Sequence, residues 1–239
     1  AGNDVDVRVQ THISNHAGNI AADKQVNIAA IDFNNTSGQV GSSNGNVTLA
    51  LSGNLRNEAD ASVLDQNGNA ITGVVAAANG VASIAASNVS NNGGVIHAGN
   101  TNITTGHLSN IKGEISAKRD MVLKTDSVDN QAGTIFAENT LSVAVKNALS
   151  NTQAAHLAAK EAVDIQAGSI DNSGGNLYSV NNALKVRSSG AINNTDGYVA
   201  AAKDLQLSAS SLNNQRIDAA KKQAIVTGDN VTLDITGLL

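Results

Sequence analysis

Apolar and polar residues alternate along this chain in short runs, and the runs recur. Residues 128–151, VDNQAGTIFAENTLSVAVKNALSN, show one repeat. An apolar residue, a polar one and an Asn (Val128-Asp129-Asn130) are followed three residues later by Gly133. Two alternating runs come next, Ile135/Ala137 and Leu141/Val143/Val145, and the phrase restarts at Leu149-Ser150-Asn151. The apolar-x-Asn phrase occurs ten times, closing at Asn15, Asn35, Asn57, Asn91, Asn110, Asn130, Asn151, Asn172, Asn194 and Asn214. The steps between them are 20, 22, 34, 19, 20, 21, 21, 22 and 20 residues. In seven repeats a Gly stands three residues after the Asn (Gly18, Gly38, Gly94, Gly113, Gly133, Gly175 and Gly197), with an apolar residue two further on.

Period-two alternation predicts strands, so each repeat reads as three short strands joined by Gly, Asn and Asp turns. A repeat of about 20 residues cannot bury its apolar face alone. Stacked, each strand pairs with its equivalent in the next coil, and the inward Val, Ile and Leu become one continuous core. The expected fold is all-β: a parallel β-helix of about ten coils, a single domain over residues 1–239. A leucine-rich repeat has a similar period, but its Leu-rich consensus and helical segment are missing. The ten Asn residues have a structural reason. Each lies two residues after an inward apolar side chain, so it also points inward, at a corner, where stacked amides can form a ladder. Asn tolerates the left-handed backbone of a sharp corner, and the Gly is expected to supply a second permissive position.

The third repeat breaks the pattern. Asn57 and Gly73 are 16 residues apart where other repeats use three, so about 13 residues, near 58–70, are extra. Asn67-Gly68 between Val63-Leu64 and Ala70-Ile71 is a strong hairpin signal. A projecting β-hairpin is expected over residues 58–72. Solenoid insertions often mark the binding face, which makes Glu58, Asp60, Asp65 and Asn67 candidate binding residues for a cationic or metal-bridged partner. The competing reading is a loop that only covers the coil or has drifted. The repeats at Asn151 and Asn214 lack the Gly and are expected to have altered corners without chemistry.

Composition narrows the function. The chain has 239 residues, a net charge of −5, 2% aromatics, and no Pro, Cys or Trp. Its core must therefore be aliphatic. The mild acidity disfavours nucleic acid, which wants a basic face, and no apolar run reaches the length of a membrane helix. Absence of Cys fits a cytosolic protein and equally a chain crossing an oxidising periplasm without cross-linking. The opening Ala-Gly-Asn-Asp carries no secretory signal and reads as a cut inside a longer protein.

The repeats at 108–125 (LSNIKGEISAKRDMVLKT) and 128–145 (VDNQAGTIFAENTLSVAV) resemble those of the filamentous haemagglutinin repeat family. The resemblance extends over residues 11–235. It implies a right-handed β-helix and an internal shaft segment of a large exoprotein exported by two-partner secretion, either a filamentous adhesin or a contact-dependent growth inhibition effector. It also implies a secreted or bacterial cell-surface location, an outer-membrane transporter as partner during export, and a link to virulence. The family's secretion domain, with its Asn-Pro motifs, and a toxin-like C-terminus are both missing from this sequence. A chain without disulfides or prolines suits passage through a pore and quick folding outside.

Catalytic readings are weaker. Parallel β-helices also carry polysaccharide lyases and glycosidases, which use clustered carboxylates; a glycosidase needs two roughly 5–10 Å apart. The outward position beside the corner Asn is expected to hold Asp32, Asp129 and Asp171, with no acids on neighbouring coils. A second outward column alternates in charge: Asp23-Lys24, Lys118-Arg119-Asp120, Lys160-Glu161, Lys203-Asp204 and Lys221-Lys222. It reads as a solvated stripe with little net field for an anionic glycan. The five His lack metal-ligand spacing, and no cofactor is expected. The leading reading is a non-enzymatic structural and interaction segment whose contacts would be a cell-surface receptor or glycan. The rival is a β-helical polysaccharide lyase or glycosidase. The closing strand VTLDITGLL has no polar cap, so end-to-end self-association of the isolated chain is expected.

Overall fold

In the computed structural model, which describes residues 2–218 and 224–237, every regular element is a β-strand. The strands pair in parallel, forming a β-solenoid. They fall into two compact units, residues 1–118 and 119–239.

In the first unit, inward residues stack in register from coil to coil. Ile20, Val40, Val75, Ile96 and Ile115 form one column. Ile28, Leu49, Ile84 and Ile103 form a second. Ile13, Phe33, Leu55, Val89 and Leu108 form a third. The second unit repeats the plan, with Ile135, Leu157, Leu177, Val199 and Val226 in one column and Val128, Leu149, Ile170, Ile192 and Leu212 in another. Apart from those of the outermost coils, these side chains are almost wholly buried. Buried aliphatics stabilise by roughly 25 cal/mol per Å², which lets a core with few aromatics hold. Three short strands per coil is the usual arrangement; in two coils they run together, as Val74–Ser90 and Val95–Ser109. There Ala82, in register with Val47, faces inward.

The corners explain both the Asn and the Gly. Asn15 Nδ2 donates to Asn35 Oδ1 at 2.7 Å, and the relay continues to Asn57, Asn91 and Asn110, each step 2.7 Å. In the second unit Asn130, Asn151, Asn172, Asn194 and Asn214 are linked in the same way at 2.7–2.8 Å. Asn35, Asn57, Asn91, Asn110, Asn130, Asn151, Asn172 and Asn194 are fully buried. Most also donate to a carbonyl of the following coil, as Asn57 Nδ2 does to Val95 O at 3.0 Å. The left-handed backbone, however, belongs neither to the Asn nor to the Gly three residues on. It falls between them, at Ala17, Ser37, Gly93, Lys112, Ala132, Gln153, Gly174 and Asp196, with φ between 51° and 64°. The following Gly is required by space instead. A Cβ on Gly38 would lie 2.0 Å from the Asn15 carbonyl oxygen and 2.8 Å from Asn35 Oδ1, and Gly175 meets Asn151 and Asn172 alike. After Asn151 the chain adds a residue in the left-handed region, Ala154, and places buried Ala155 where the Gly would stand.

Candidate interaction surface

The excursion in the third coil grows from the same corner. Ser37 N–H donates to Glu58 O at 2.9 Å, as Ala17 N–H does to Thr36 O at 3.1 Å one coil earlier. Glu58 and Ala59 therefore fill ordinary corner positions. The corner resumes at Gly73, so the extra residues are 60–72, shifted by two from the expected 58–70. One side chain holds both legs at the foot. Ser37 Oγ–H donates to Ile71 O at 2.7 Å and Oγ accepts from Asp60 N–H at 3.0 Å. Sequence reasoning passed over Ser37, because its alternation marks it only as a corner residue.

The four residues singled out by sequence do not converge. Glu58, at the foot, accepts from Arg56 Nη2 at 2.8 Å and from the Ser90 hydroxyl. Asp60 accepts from Ser62 N–H at 2.8 Å and Ser62 Oγ–H at 2.7 Å, and faces His16 Nε2 at 3.3 Å. These hydrogen bonds, Ser62's first, hold its carboxyl down at about 2. Asp65, at the tip, accepts from the Asn69 and Asn67 amides at 2.8 Å each, which lower its pKa. Asn67 contributes its backbone to that turn. The excursion is thinner than a two-stranded ribbon, with one antiparallel bridge, Leu64 to Ala70. Gly68, at φ 81°, ends a three-residue loop with Asp65 N–H on Asn69 O, a type I turn followed by a left-handed residue. Asp60 and Asp65 thus serve mainly as acceptors for their own loop, whose exposed residues include Leu64, Asp65 and Asn67.

The acid column needs a correction. Asp32 stands in register with His12 rather than beside the corner. It bonds His12 Nδ1 at 2.7 Å and accepts from Asn54 N–H at 2.6 Å; the amide bond leads the lowering of its pKa. Asp129 and Asp171 do share a column, separated by Ser150. That is two strand spacings, ~9.6 Å. Each caps its own corner: Asp129 accepts from Gln131 N–H at 3.1 Å, and Asp171 from Ser173 N–H at 3.0 Å. In the second charged column several acids pair with an Asn of the next coil: Asp23 with Asn44, Asp120 with Asn139, Glu161 with Asn181 and Asp204 with Asn230. Lys160 lies 3.9 Å from Glu138. Lys221-Lys222 fall outside the described residues. No group of three or more His, Cys, Asp or Glu placed to hold a metal occurs among the described residues.

The haemagglutinin repeat family model matches residues 1–59, 50–143, 125–196 and 180–239. No curated protein and no solved structure matches the chain.

Proposed function

We propose, from the premise that this chain belongs to the haemagglutinin repeat family, that it is a shaft segment of an exported surface filament. On this reading it carries an adhesive or toxic tip away from the cell and offers the excursion at 60–72 as a contact for a receptor. Family membership supports secretion through an outer-membrane two-partner transporter. The observation that carries the mechanism is the corner. Each coil presents a row of strand edges and an Asn amide to the next, and most a Gly-sized gap, so every finished coil is a template for the one that follows. Coil-by-coil folding outside the pore would keep the emerging chain from sliding back. The Asp129/Asp171 column gives little support to a glycosidase or lyase, since both carboxylates are occupied as corner caps.

The test is export of the full secreted protein with Gly38→Ala and Gly175→Ala introduced together. Export and surface display should drop, with material accumulating inside the cell. Export at the parent rate would overturn the template mechanism. For the excursion, labelled chain is incubated with bacterial and host cells beside a version lacking residues 60–72, matched by circular dichroism. Binding that survives the deletion would remove the excursion as the contact.

A further inference from the structure

The chain holds two Phe, two Tyr and no Trp. Phe33 is in the core. The other three, with His156, stand on outward positions of one column of strands in the second unit, one ring per coil over four successive coils. The strands are Thr134–Ala137, His156–Ala159, Asn176–Ser179 and Tyr198–Ala201. The rings alternate between two outward rows. Phe136 and Tyr178 share a row with Ala158 and Ala200, while His156 and Tyr198 share one with Thr134 and Asn176. Outward alanines should be exposed, yet Ala158 and Ala200 are buried. Ala158 is in register between Phe136 and Tyr178, and Ala200 between Tyr178 and Thr227. His156 and Tyr178 meet edge to face, 5.9 Å between centroids. Tyr198 is 37% exposed.

His156, Tyr178 and Tyr198 wall an open groove of about 410 Å³ with Asn176, Val180 and Thr227; Phe136 lies outside it. Among the described residues, none of its lining side chains is Asp, Glu, Lys or Arg. Its polar groups are under-used. His156 Nδ1 is buried with no hydrogen-bond partner, a state that calls for a missing donor or acceptor. Asn176 Nδ2 donates to Ala155 O at 3.1 Å; its Oδ1 and both tyrosine hydroxyls have no partner among the described residues.

We infer that this groove binds a neutral oligosaccharide, with Tyr178 and Tyr198 as the platform for sugar rings and Asn176 and His156 meeting their hydroxyls. Flat rings beside an amide and an imidazole, without charge, match a ligand with C–H faces and a hydroxyl rim. A sulfated or phosphorylated glycan would call for Arg or Lys, and a nucleic-acid strand for a basic track. A protein partner would engage some 20–30 residues a side, whereas the large exposed apolar side chains here are Val180 and Tyr198. Tyr178 and Tyr198 stand on adjacent coils, one strand spacing (~4.8 Å) apart along the stack and offset by two residues along the strand. The inference deepens the surface-contact part of the proposed function by naming a ligand class and a second contact face.

The experiment uses the absence of Trp. Both tyrosines lie in the groove, so tyrosine emission of the unlabelled chain reports this site alone. The probes are neutral hexose and N-acetylhexosamine oligosaccharides of animal-glycan and bacterial-polysaccharide types, titrated to millimolar concentration. A saturable emission change with one type is expected, unaffected by high salt, and the type identifies the source. Tyr198→Phe should weaken binding a few-fold and Tyr178→Ala about tenfold, with the fold checked by circular dichroism. Three results would overturn the inference: no emission change with any sugar, equal affinity in Tyr178→Ala, or a change driven by protein concentration alone, which would mean a second copy covers the groove. None of these touches the shaft reading, which stands or falls on export.

Discussion

Gly113 lies so close to Asn91 of the preceding coil that an added Cβ would stand 2.0 Å from the Asn91 carbonyl oxygen. Its neighbour Lys112 holds φ at 55°, the left-handed region that costs an L-residue about 1–2 kcal/mol. Adjacent residues should therefore respond in opposite directions. Gly113→Ala should destabilise by about 3 kcal/mol, the upper range for overpacking. Lys112→Gly should stabilise by about 0.5 kcal/mol, the strain relieved less the entropy of a freer unfolded chain. Denaturant melts of the two variants check this; equal shifts would show that space is not what selects the Gly.

Asn172 receives Asn151 Nδ2 at 2.8 Å and gives its own Nδ2 to Asn194 at 2.7 Å, fully buried. Asn172→Ala leaves Asn194 Oδ1 and nearby carbonyls short of a donor, and should cost about 3 kcal/mol. Asn102→Ala, on an exposed outward position, should stay within about 0.5 kcal/mol. Chemical denaturation compares them. Similar losses would mean that a buried ladder amide adds little beyond an exposed one.

Asp60 titrates low in the folded chain, at about 2 against an ordinary 3.8. A depressed value means that the fold favours the carboxylate. Its contribution is complete above the ordinary value and is lost as pH falls through about 2. Acidification should loosen the foot of the excursion before the coils melt. Carboxyl carbon shifts in an NMR titration should give Asp60 a midpoint near 2, and Ser62→Ala should move it upward. A midpoint at the ordinary aspartate value would mean that Ser62 and His16 do not hold this carboxylate.

In the strand Asn230–Ile235, Val231 and Leu233 are 44% and 42% exposed, while their register partners Leu205 and Leu207 are buried. Exposed strand edges with apolar side chains invite pairing with another chain. The isolated chain should self-associate with rising concentration, and Val231→Lys with Leu233→Lys should reduce this in analytical ultracentrifugation. A parent chain that stays monomeric at high concentration would rule out pairing through this strand.

The repeat, the strand type and the inward residues were legible because period-two alternation and a spacing near 20 residues allow few packings. The Asn phrase pointed to a corner for the same reason. The Gly was legible as a signal but not in its cause. Composition cannot distinguish a Gly chosen for φ from one chosen for clearance, and the left-handed residues here include Ala, Ser, Lys, Gln and Asp. The excursion's limits moved by two residues because Glu58 and Ala59 lack the usual corner composition yet keep its hydrogen bonds.

By itself the sequence determined a β-solenoid with an Asn at one corner of each coil and one enlarged turn, since each of these follows from local periodicity. The tertiary structure decided which side chains meet across coils. It engaged Asp60 and Asp65 as acceptors for their own loop and gathered Phe136, His156, Tyr178 and Tyr198 onto one face. Those positions are about 20 residues apart in the chain and become neighbours only when stacking sets strands one spacing apart in register. That proximity depends on each coil's exact length, which the alternation pattern alone does not record.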